Sequence, residues 1–447
     1  MTTRSVEEVV AGLRANGIDV VRILISDLAG VDRGRDVLLD HFSTVLGADL
    51  ALCRGLYGVT AGGGVIPLDG GLTAGLPDIS VVPELDTLQT LPWEPGVAWC
   101  VGSVHSHGDG TVEEDPRSMV KSVLGRFDQW SLRPIIGPEL EFFLLEPDAS
   151  ASLGYRIYGS QAGNVYSVGR RGDPDNLLLS WLRLLRDCGF EVLGGNHEFS
   201  PGQFEINLNH GEALATADAA FRFKIAVKEL ARREGKLATF MAKPLNSEGG
   251  SGFHLHVSLN DEHGVNVFDE PSGPGGLSDR ARWSIAGIVT HAPALAALLN
   301  PTVNSYKRFG PDTLAPWLID WGFDNRSAMV RIPPERGGGA RLELRLGDAS
   351  ANPYLAIAGV LGAIALGLEH RLEPPEALEG YGYDPTRAEI LPTSLTQALD
   401  ALERDRELTE VLGAGAVAAF LEYKRDEVKR CEATVTDWEF REYAYHL

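Results

Sequence analysis

The stretch GPELEFFLLE, residues 137–146, alternates in the manner of a β-strand. Successive side chains of a strand point to opposite faces, so Leu140 and Phe142 share one face while Glu139 and Glu141 share the other. The two carboxylates then lie roughly 7 Å apart. Charged side chains on a strand are typical of a solvated sheet surface, but they are also typical of a metal or substrate site. This strand by itself leaves both interpretations open.

The same alternation of apolar and polar side chains recurs in three further segments, QFEIN at 203–207, GFHLHVS at 252–258 and RLELRL at 341–346. Their polar faces carry Gln203, Glu205, Asn207, His254, His256, Ser258, Arg341, Glu343 and Arg345. Glu198 precedes Glu205 by one glycine-containing turn. Four strands with such faces and hardly any lysine predict the lining of one cavity rather than four solvated surfaces.

Five carboxylates on or beside these strands require compensation by cations if they share a cavity. They are Glu139, Glu141, Glu198, Glu205 and Glu343. Oxygen-rich ligation with imidazole suits Mg²⁺ or Mn²⁺ better than zinc. The sequence therefore predicts a site for divalent cations.

Five arginines also cluster in the sequence, at Arg308, Arg326, Arg331, Arg341 and Arg345. Taken singly, each is best interpreted as part of a surface ion pair. As a group beside a divalent-metal site they suit a polyphosphate and a carboxylate, because the guanidinium binds such anions through two parallel hydrogen bonds. Neither GxxxxGK[ST] nor GxGxxG is present, so nucleotide binding would be of an unusual type. These residues favour metal-assisted phosphoryl transfer.

Size and charge set broad limits on the class of protein. At 447 residues the chain exceeds the usual size of one compact core, which predicts two domains with a boundary near residue 110. A formal charge of −22 argues against a nucleic-acid partner. The four cysteines form no paired motif and no apolar run reaches transmembrane length. We therefore expect a cytoplasmic protein without a membrane partner.

A series of motifs, in order along the chain, resembles the glutamine synthetase family. The series includes DPRS, GPELEFFLLE, NHEFSPGQFEIN, GGSGFHLHVSL, NPTVNSYKRFGP, WGFDNRSAMVRIP and RLELRLGDASANPYLAIAGVL. The resemblance implies an α+β fold with a β-grasp-like N-terminal domain at 1–110 and a catalytic domain at 111–447. In the catalytic domain, a curved antiparallel sheet would pack against helices.

Carried over motif by motif, the resemblance implies a two-metal site for Mg²⁺ or Mn²⁺ and a site for ATP and L-glutamate. The matching residues are Glu141, Glu198 and Glu205 for one ion; Glu139, His254 and Glu343 for the other; His256, Ser258 and Arg341 for the nucleotide; Arg326 and Arg331 for the transferring phosphate; and Gly250, Arg308 and Arg345 for glutamate. ATP would phosphorylate the γ-carboxylate of glutamate, and an amine would then displace phosphate to form an amide.

Two departures from the family pattern concern the amine. Ammonia-using members carry a glutamate shortly after the GP of this segment, whereas RFGPDTLAPW at 308–317 has Leu314 there. They also carry an aspartate in an N-terminal loop, whereas no acidic residue lies between Asp49 and Asp69. Leu314 indicates an apolar wall. The sequence therefore favours an organic primary amine over ammonium as the second substrate.

Three alternatives stay open from the sequence. An ordinary ammonia-using glutamine synthetase and a γ-glutamyl-polyamine ligase would share the chemistry, although a polycation is expected to require acidic groups. A catalytically inactive family member is disfavoured, because all six metal-ligand positions and all five arginines are present. The resemblance further implies a homo-oligomer, a dodecamer of two stacked hexameric rings. Tyr383, near the family's adenylylated tyrosine, is expected to be an exposed loop residue.

Overall fold

The computed structural model describes residues 6–106, 110–151, 154–159, 161 and 163–447. The segment that separates the two predicted domains includes residues 107–109, which lie outside the described part. The division at residue 110 therefore stays a prediction. One β-sheet is built from residues before this segment and a larger one from residues after it.

The smaller sheet is mixed and is accompanied by helices α1 (Val6–Ala15) and α2 (Leu39–Ala48). Its strands are β1 (Val20–Ser26), β2 (Asp32–Leu38), β3 (Leu50–Cys53), β4 (Asp78–Pro83), β5 (Gln89–Thr90) and β6 (Val97–Ser106). The order is β2-β1-β6-β4-β3, with β5 paired to β6. Strands β1 and β6 are parallel and the other pairs are antiparallel. This mixed sheet agrees with the β-grasp-like domain expected from the sequence.

The larger sheet is built around the long central strand β7 (Arg133–Pro147). Its other strands are β8 (Tyr155–Ile157), β9 (Val192–His197), β10 (Gln203–Leu208), β11 (Gly211–Glu212), β12 (Leu237–Thr239), β13 (Phe253–Asn260), β14 (Trp321–Phe323), β15 (Val330–Ile332) and β16 (Leu342–Leu344). The order is β14-β15-β16-β13-β7-β10-β9, and β8, β11 and β12 also pair with β7. The α+β class is confirmed. The sheet differs in one pair of strands from the antiparallel sheet that was expected, because β14 and β15 are parallel.

Nine further helices follow along the chain in the described residues. They are α3 (Pro116–Gly125), α4 (Leu177–Cys188), α5 (Ala213–Arg233), α6 (Asp279–Leu299), α7 (Pro353–His370), α8 (Leu395–Arg404), α9 (Arg406–Leu412), α10 (Ala414–Glu432) and α11 (Asp437–Tyr443). Among the helices of the described residues, α7 alone has the length and apolarity of a membrane span. However, 89% of this helix is buried inside the protein. It is therefore a core helix.

Two glycines let α6 and α7 pack closely along the core. A Cβ atom at Gly287 of α6 would lie 2.2 Å from the carbonyl oxygen of Ala363, and one at Gly367 of α7 would lie 2.1 Å from that of Trp283. Any larger side chain at either position would force the helices apart. These contacts hold α7 in the core that the larger sheet covers.

A buried ion pair connects the two parts of the chain. Arg117 of α3 donates two hydrogen bonds to the carboxylate of Asp218 in α5, at 2.8 and 2.9 Å. The same guanidinium donates to the hydroxyl of Ser103 in β6 at 2.8 Å. Tyr354 of α7 adds a hydrogen bond to Asp218 at 2.7 Å. The pair thus joins α3, α5 and α7 to the smaller sheet.

Replacing Asp218 by asparagine should leave the buried Arg117 guanidinium without its main counter-charge. We expect Asp218→Asn to lower the free energy of unfolding by about 3–5 kcal/mol, because an unpaired buried charge is strongly destabilising. Urea unfolding followed by tryptophan fluorescence measures the change. Glu403→Gln is the matched control, since it removes an exposed ion pair with Arg425 and should leave the transition unchanged. Equal effects of the two variants would contradict the role given to Asp218.

Candidate active site

The register of β7 with its neighbours places charged side chains from three strands side by side. Glu141 lies opposite Glu205 of β10, and Glu139 lies opposite His254 of β13. Neither carboxylate of β7 faces open solvent, since Glu139 is only partly exposed and Glu141 likewise. Of the two interpretations that the strand left open, the structure favours a binding site over a solvated surface.

One group of possible metal ligands lies around Glu139. His256 Nε2 donates to Glu139 Oε1 at 2.9 Å. His254 Nδ1 lies 3.4 Å from Glu139 Oε2 and 3.9 Å from Glu343 Oε1. The ligand atoms of Glu139, His256 and Glu343 all lie within 4.8 Å of one another. His256, which the sequence assigned to the nucleotide, therefore also lies within reach of an ion held by the two carboxylates.

Three further carboxylates each accept a hydrogen bond from a neutral side-chain amide. The pairs are Gln203 with Glu141 (2.9 Å), Asn196 with Glu198 (2.7 Å) and Asn207 with Glu205 (2.9 Å). The backbone N–H of Gly252 also donates to Glu141, at 2.8 Å. Sequence reasoning placed Gln203 and Asn207 on the polar face of their strand but gave them no role. Their contacts orient the carboxylates without neutralising them.

Burial and repulsion between carboxylates raise the pKa values of Glu198 and Glu205. Burial, and then the charge of Glu141, raises the pKa of Glu198 to about 7. Burial together with the charges of Glu139 and Glu141 raises the pKa of Glu205 to about 8. Burial acts in the same direction on Glu139, but hydrogen bonds from the two histidines outweigh it and lower the pKa of Glu139 well below its usual range. Negative charge is therefore least compensated at Glu198 and Glu205.

The residues present fit divalent cations that prefer oxygen ligands. The donor set is mainly carboxylate, with imidazole at one end, which suits Mg²⁺ or Mn²⁺. Gly252 leaves open the space between the two groups of ligands. A Cβ atom there would lie 2.8 Å from His254 Nε2 and 3.0 Å from Glu141 Oε1. A larger residue at 252 would therefore fill the space between His254 and Glu141.

A cavity of about 540 Å³ opens beside Glu139. The three residues that the sequence assigned to the nucleotide, His256, Ser258 and Arg341, all line it. Its walls also include apolar side chains that sequence reasoning missed, at Ile135, Pro138, Leu193, Leu208 and Ala340. Arg341 Nε donates to His256 Nδ1 at 3.1 Å, which leaves Nε2 as the donor to Glu139. An apolar cavity that ends at a charged cluster suits a nucleotide base whose phosphates reach the cations.

Two of the arginines converge on Glu343, which is almost fully buried. Arg331 Nη1 donates to one oxygen and Arg345 Nη1 to the other, each at 2.6 Å. Arg331 also pairs with Asp324 at 2.6 Å. Arg345 Nε donates to the backbone carbonyl of Arg326 at 3.0 Å. The Arg326 side chain is exposed and forms no ion pair with any described residue. The carboxylate of Glu343 thus holds the guanidinium groups of Arg331 and Arg345 at the edge of the site.

Arg308 is buried, and in the described part of the chain no carboxylate forms an ion pair with it. It is 6% exposed, and its Nη1 donates to the backbone carbonyl of Leu346 at 3.2 Å. Burial lowers its pKa. Gly250 packs against it, since a Cβ atom there would lie 2.6 Å from Arg308 Cγ. A buried guanidinium of this kind is stabilised by an anion, so this is a position at which a carboxylate would bind favourably.

Leu314 has an unusual backbone conformation, and Tyr383 is buried. Leu314 has a φ of +59°, which is uncommon for a residue with a large side chain, and it is 49% exposed. Tyr383 is only 6% exposed, so the prediction of an exposed loop tyrosine is wrong. The sequence around Tyr383 is rich in glycine and polar residues, which conceals the fact that it folds back onto the body of the protein.

A model of the catalytic domain of glutamine synthetase matches residues 113–443. The chain belongs to the glutamine synthetase family. A glutamine synthetase from Halobacterium salinarum is 33% identical over 96% of this chain and 94% of its own length. A glutamate–isopropylamine ligase from a Pseudomonas species is 32% identical over 96% of both chains. Members of this family are carbon–nitrogen ligases, and so is this chain.

Solved structures give the same picture of a glutamine synthetase fold. GmaS without ligand is 35% identical, with a TM-score of 0.87 over 98% of this chain and 99% of that one. A glutamine synthase homologue is 26% identical, with a TM-score of 0.83 over 96% of this chain. Enzymes of this family use ATP and divalent metal ions to join glutamate to ammonia or an amine. The fold and the general chemistry inferred from the sequence are therefore confirmed.

The raised pKa values of Glu198 and Glu205 predict that metal binding releases protons. A divalent cation binds the deprotonated carboxylates, whose pKa values of about 7 and about 8 leave them partly protonated near neutral pH. Affinity for Mn²⁺ should therefore rise from about pH 6 to about pH 8. Isothermal titration calorimetry in two buffers of different ionisation enthalpy counts the protons released. Glu205→Gln should weaken binding and release fewer protons. Binding that is independent of pH would contradict the prediction.

Proposed function

We propose that this enzyme joins the γ-carboxylate of L-glutamate to an organic primary amine, with ATP as co-substrate. The observation that carries the proposal is the replacement of an acidic side chain by Leu314 in the loop that follows Arg308. The similarity to a glutamate–isopropylamine ligase supports it. The product would be a γ-glutamylamide.

The proposed reaction has two steps. A γ-carboxylate oxygen of glutamate attacks the γ-phosphorus of ATP, and the bond to the ADP oxygen breaks, which gives γ-glutamyl phosphate. The amine nitrogen then attacks the carbonyl carbon of the acyl phosphate, and inorganic phosphate leaves with the electron pair of the carbon–oxygen bond. The nitrogen loses one proton as the amide forms. Mg²⁺ or Mn²⁺ bound at the carboxylate cluster would neutralise the phosphate charge.

Residues of the chain would position the nucleotide and the transferring group. The apolar cavity beside Glu139 accepts the base, while Arg341 and Ser258 line the part of the wall that carries polar groups. The exposed Arg326 side chain and Arg331 would stabilise the negative charge that redistributes during phosphoryl transfer. Arg331 donates hydrogen bonds to the carboxylates of Glu343 and Asp324, which holds its guanidinium at the edge of the proposed metal site.

The acyl substrate would bind where Arg308, Arg345 and Gly250 come together. Arg308 is buried without a carboxylate partner in the described residues, and glutamate would supply one. The close packing of Gly250 on Arg308 leaves the backbone of residue 250 next to the bound amino acid. A planar guanidinium binds a carboxylate through two parallel hydrogen bonds, so this contact would select a carboxylate.

The main alternative is an ordinary glutamine synthetase, because several relatives carry that name at similar identity. Ammonium is small and strongly hydrated, so binding it requires carboxylates that replace its water and accept a proton. Leu314 can do neither. A polyamine ligase is the weaker alternative, since a polycation also requires acidic groups near its entry point.

We also propose that the enzyme acts in the cytoplasm as a homo-oligomer, a dodecamer of two stacked hexameric rings. Its four cysteines are free, which is usual in a reducing compartment. Large apolar side chains near the site are exposed in the single chain, notably Tyr166, Leu193 and Phe199. A neighbouring subunit would cover such a patch.

Two arginine variants should affect different kinetic parameters. Arg326→Ala should lower kcat about a hundredfold or more, because the lost charge acts mainly on the transition state. Arg308→Ala should chiefly raise the KM for glutamate. Steady-state phosphate release at varied glutamate and ATP distinguishes the two. Arg425→Ala, far from the site in an exposed ion pair, is the control and should change neither. If both variants altered only thermal stability, the arginines would be structural.

The amine is the most direct test of the proposal. Ammonium should give weak or no amide formation, whereas at least one amine with a neutral tail, such as isopropylamine, ethanolamine or benzylamine, should be a clear substrate. Burying a tail of three or four carbons contributes about 2–3 kcal/mol, which corresponds to roughly a hundredfold in affinity. Leu314→Glu should shift preference toward ammonium. If ammonium were the best substrate of the wild-type enzyme, it would be an ordinary glutamine synthetase.

A further inference from the structure

Tyr383 lies on a segment that is hydrogen-bonded to the turn that carries Arg326. Asn325 Nδ2 donates to the carbonyl of Gly380 at 2.7 Å, and the backbone N–H of Gly382 donates to Ser327 Oγ at 3.0 Å. A Cβ atom at Gly382 would lie 2.7 Å from Ser327 Oγ, so the two backbones are in close contact. The position of Tyr383 is therefore fixed relative to the arginines of the site.

The hydroxyl group of Tyr383 is buried and makes no hydrogen bond of normal geometry with any described residue. The tyrosine as a whole is 6% exposed. Buried hydroxyl groups in proteins nearly always have a partner, because leaving one unpaired costs free energy. A phenylalanine would fill the same space without that cost. The hydroxyl is therefore available to donate to a partner from outside the chain.

The charges around this hydroxyl are mainly positive. Burial raises the pKa of Tyr383, while the guanidinium groups of Arg345 and Arg308 and the backbone N–H of Leu314 oppose the increase. The carboxylate of Asp312, which is exposed to solvent, adds to the increase. The two guanidinium groups and the backbone N–H that act on this hydroxyl are all hydrogen-bond donors, and both arginines are buried.

We propose that Tyr383 binds the acyl substrate by donating a hydrogen bond from its hydroxyl to a carboxylate of glutamate, beside Arg308 and Arg345. This inference rests on the proposed function, since it assumes that glutamate is the acyl substrate. A carboxylate accepts several hydrogen bonds and would compensate Arg308, which has no carboxylate partner among the described residues, whereas Arg345 is already paired with Glu343. Because the Leu314 amide lies at the same position, the bound carboxylate would also contact the loop that faces the amine.

Tyr383→Phe is the test, because it removes only the hydroxyl group. Hydroxylamine serves as the nucleophile, so that the acyl site is measured independently of amine preference, and γ-glutamyl hydroxamate is the product. We expect the KM for glutamate to rise about tenfold, as for the loss of one hydrogen bond to a charged group, with kcat and the KM for ATP nearly unchanged. Tyr381→Phe is the matched control, since Tyr381 packs its ring on Tyr383 at 5.0 Å but is 56% exposed.

The outcomes separate this inference from the proposed function. If wild-type enzyme forms no hydroxamate from glutamate, the proposed function fails and the inference fails with it. If wild-type enzyme is active and Tyr383→Phe leaves the KM for glutamate unchanged, only the inference is overturned. A rise in the KM for ATP instead would assign the hydroxyl to the nucleotide and overturn it too. A loss of thermal stability with all kinetic parameters changed together would show a structural role, and would also overturn it.

Discussion

Glu139 and Glu141 lie on one face of β7, and the register of the neighbouring strands adds Glu205 and His254 to the same face. Carboxylates this close repel one another in a partly buried site. At one end, imidazoles and arginines compensate the charge. At the other end, Glu198 and Glu205 are compensated only by neutral amides, and their pKa values rise. Bound cations would therefore compensate the remaining negative charge of this site, which agrees with the use of divalent metal ions by enzymes of this family.

The opposite face of β7 gives this charged surface a rigid support. Leu140 and Phe142 are fully buried, and the Phe142 ring stacks on Trp181 of α4 at 6.2 Å. Behind them, the pair between Arg117 and Asp218 connects the helices to the N-terminal sheet. A strand that is packed tightly on one face holds the side chains of its other face in place. The metal-binding geometry thus depends on the apolar core as much as on its own residues.

The substrate end of the site has a different character from the metal end. Positive charge is in excess there, because Arg308 is buried without a carboxylate partner in the described part of the chain. Glutamate would supply the missing negative charge, and Tyr383 would add a hydrogen bond to it. In the proposed function, Leu314 would determine which amine can approach the activated acyl group. In that proposal, affinity for glutamate depends on Arg308 and Tyr383, whereas selectivity for the amine depends on Leu314.

The sequence by itself determined the strand faces, the set of carboxylates, imidazoles and arginines, and the family, because alternation and motif order are local properties of the chain. It did not determine that Gln203 orients Glu141, or that Ile135 and Leu193 line the cavity beside Glu139, since those contacts join residues distant in sequence. The burial of Tyr383 was decided only by the tertiary structure. A glycine-rich segment has no periodic pattern that fixes its direction, and only its hydrogen bonds to residues 325–327 turn the tyrosine inward.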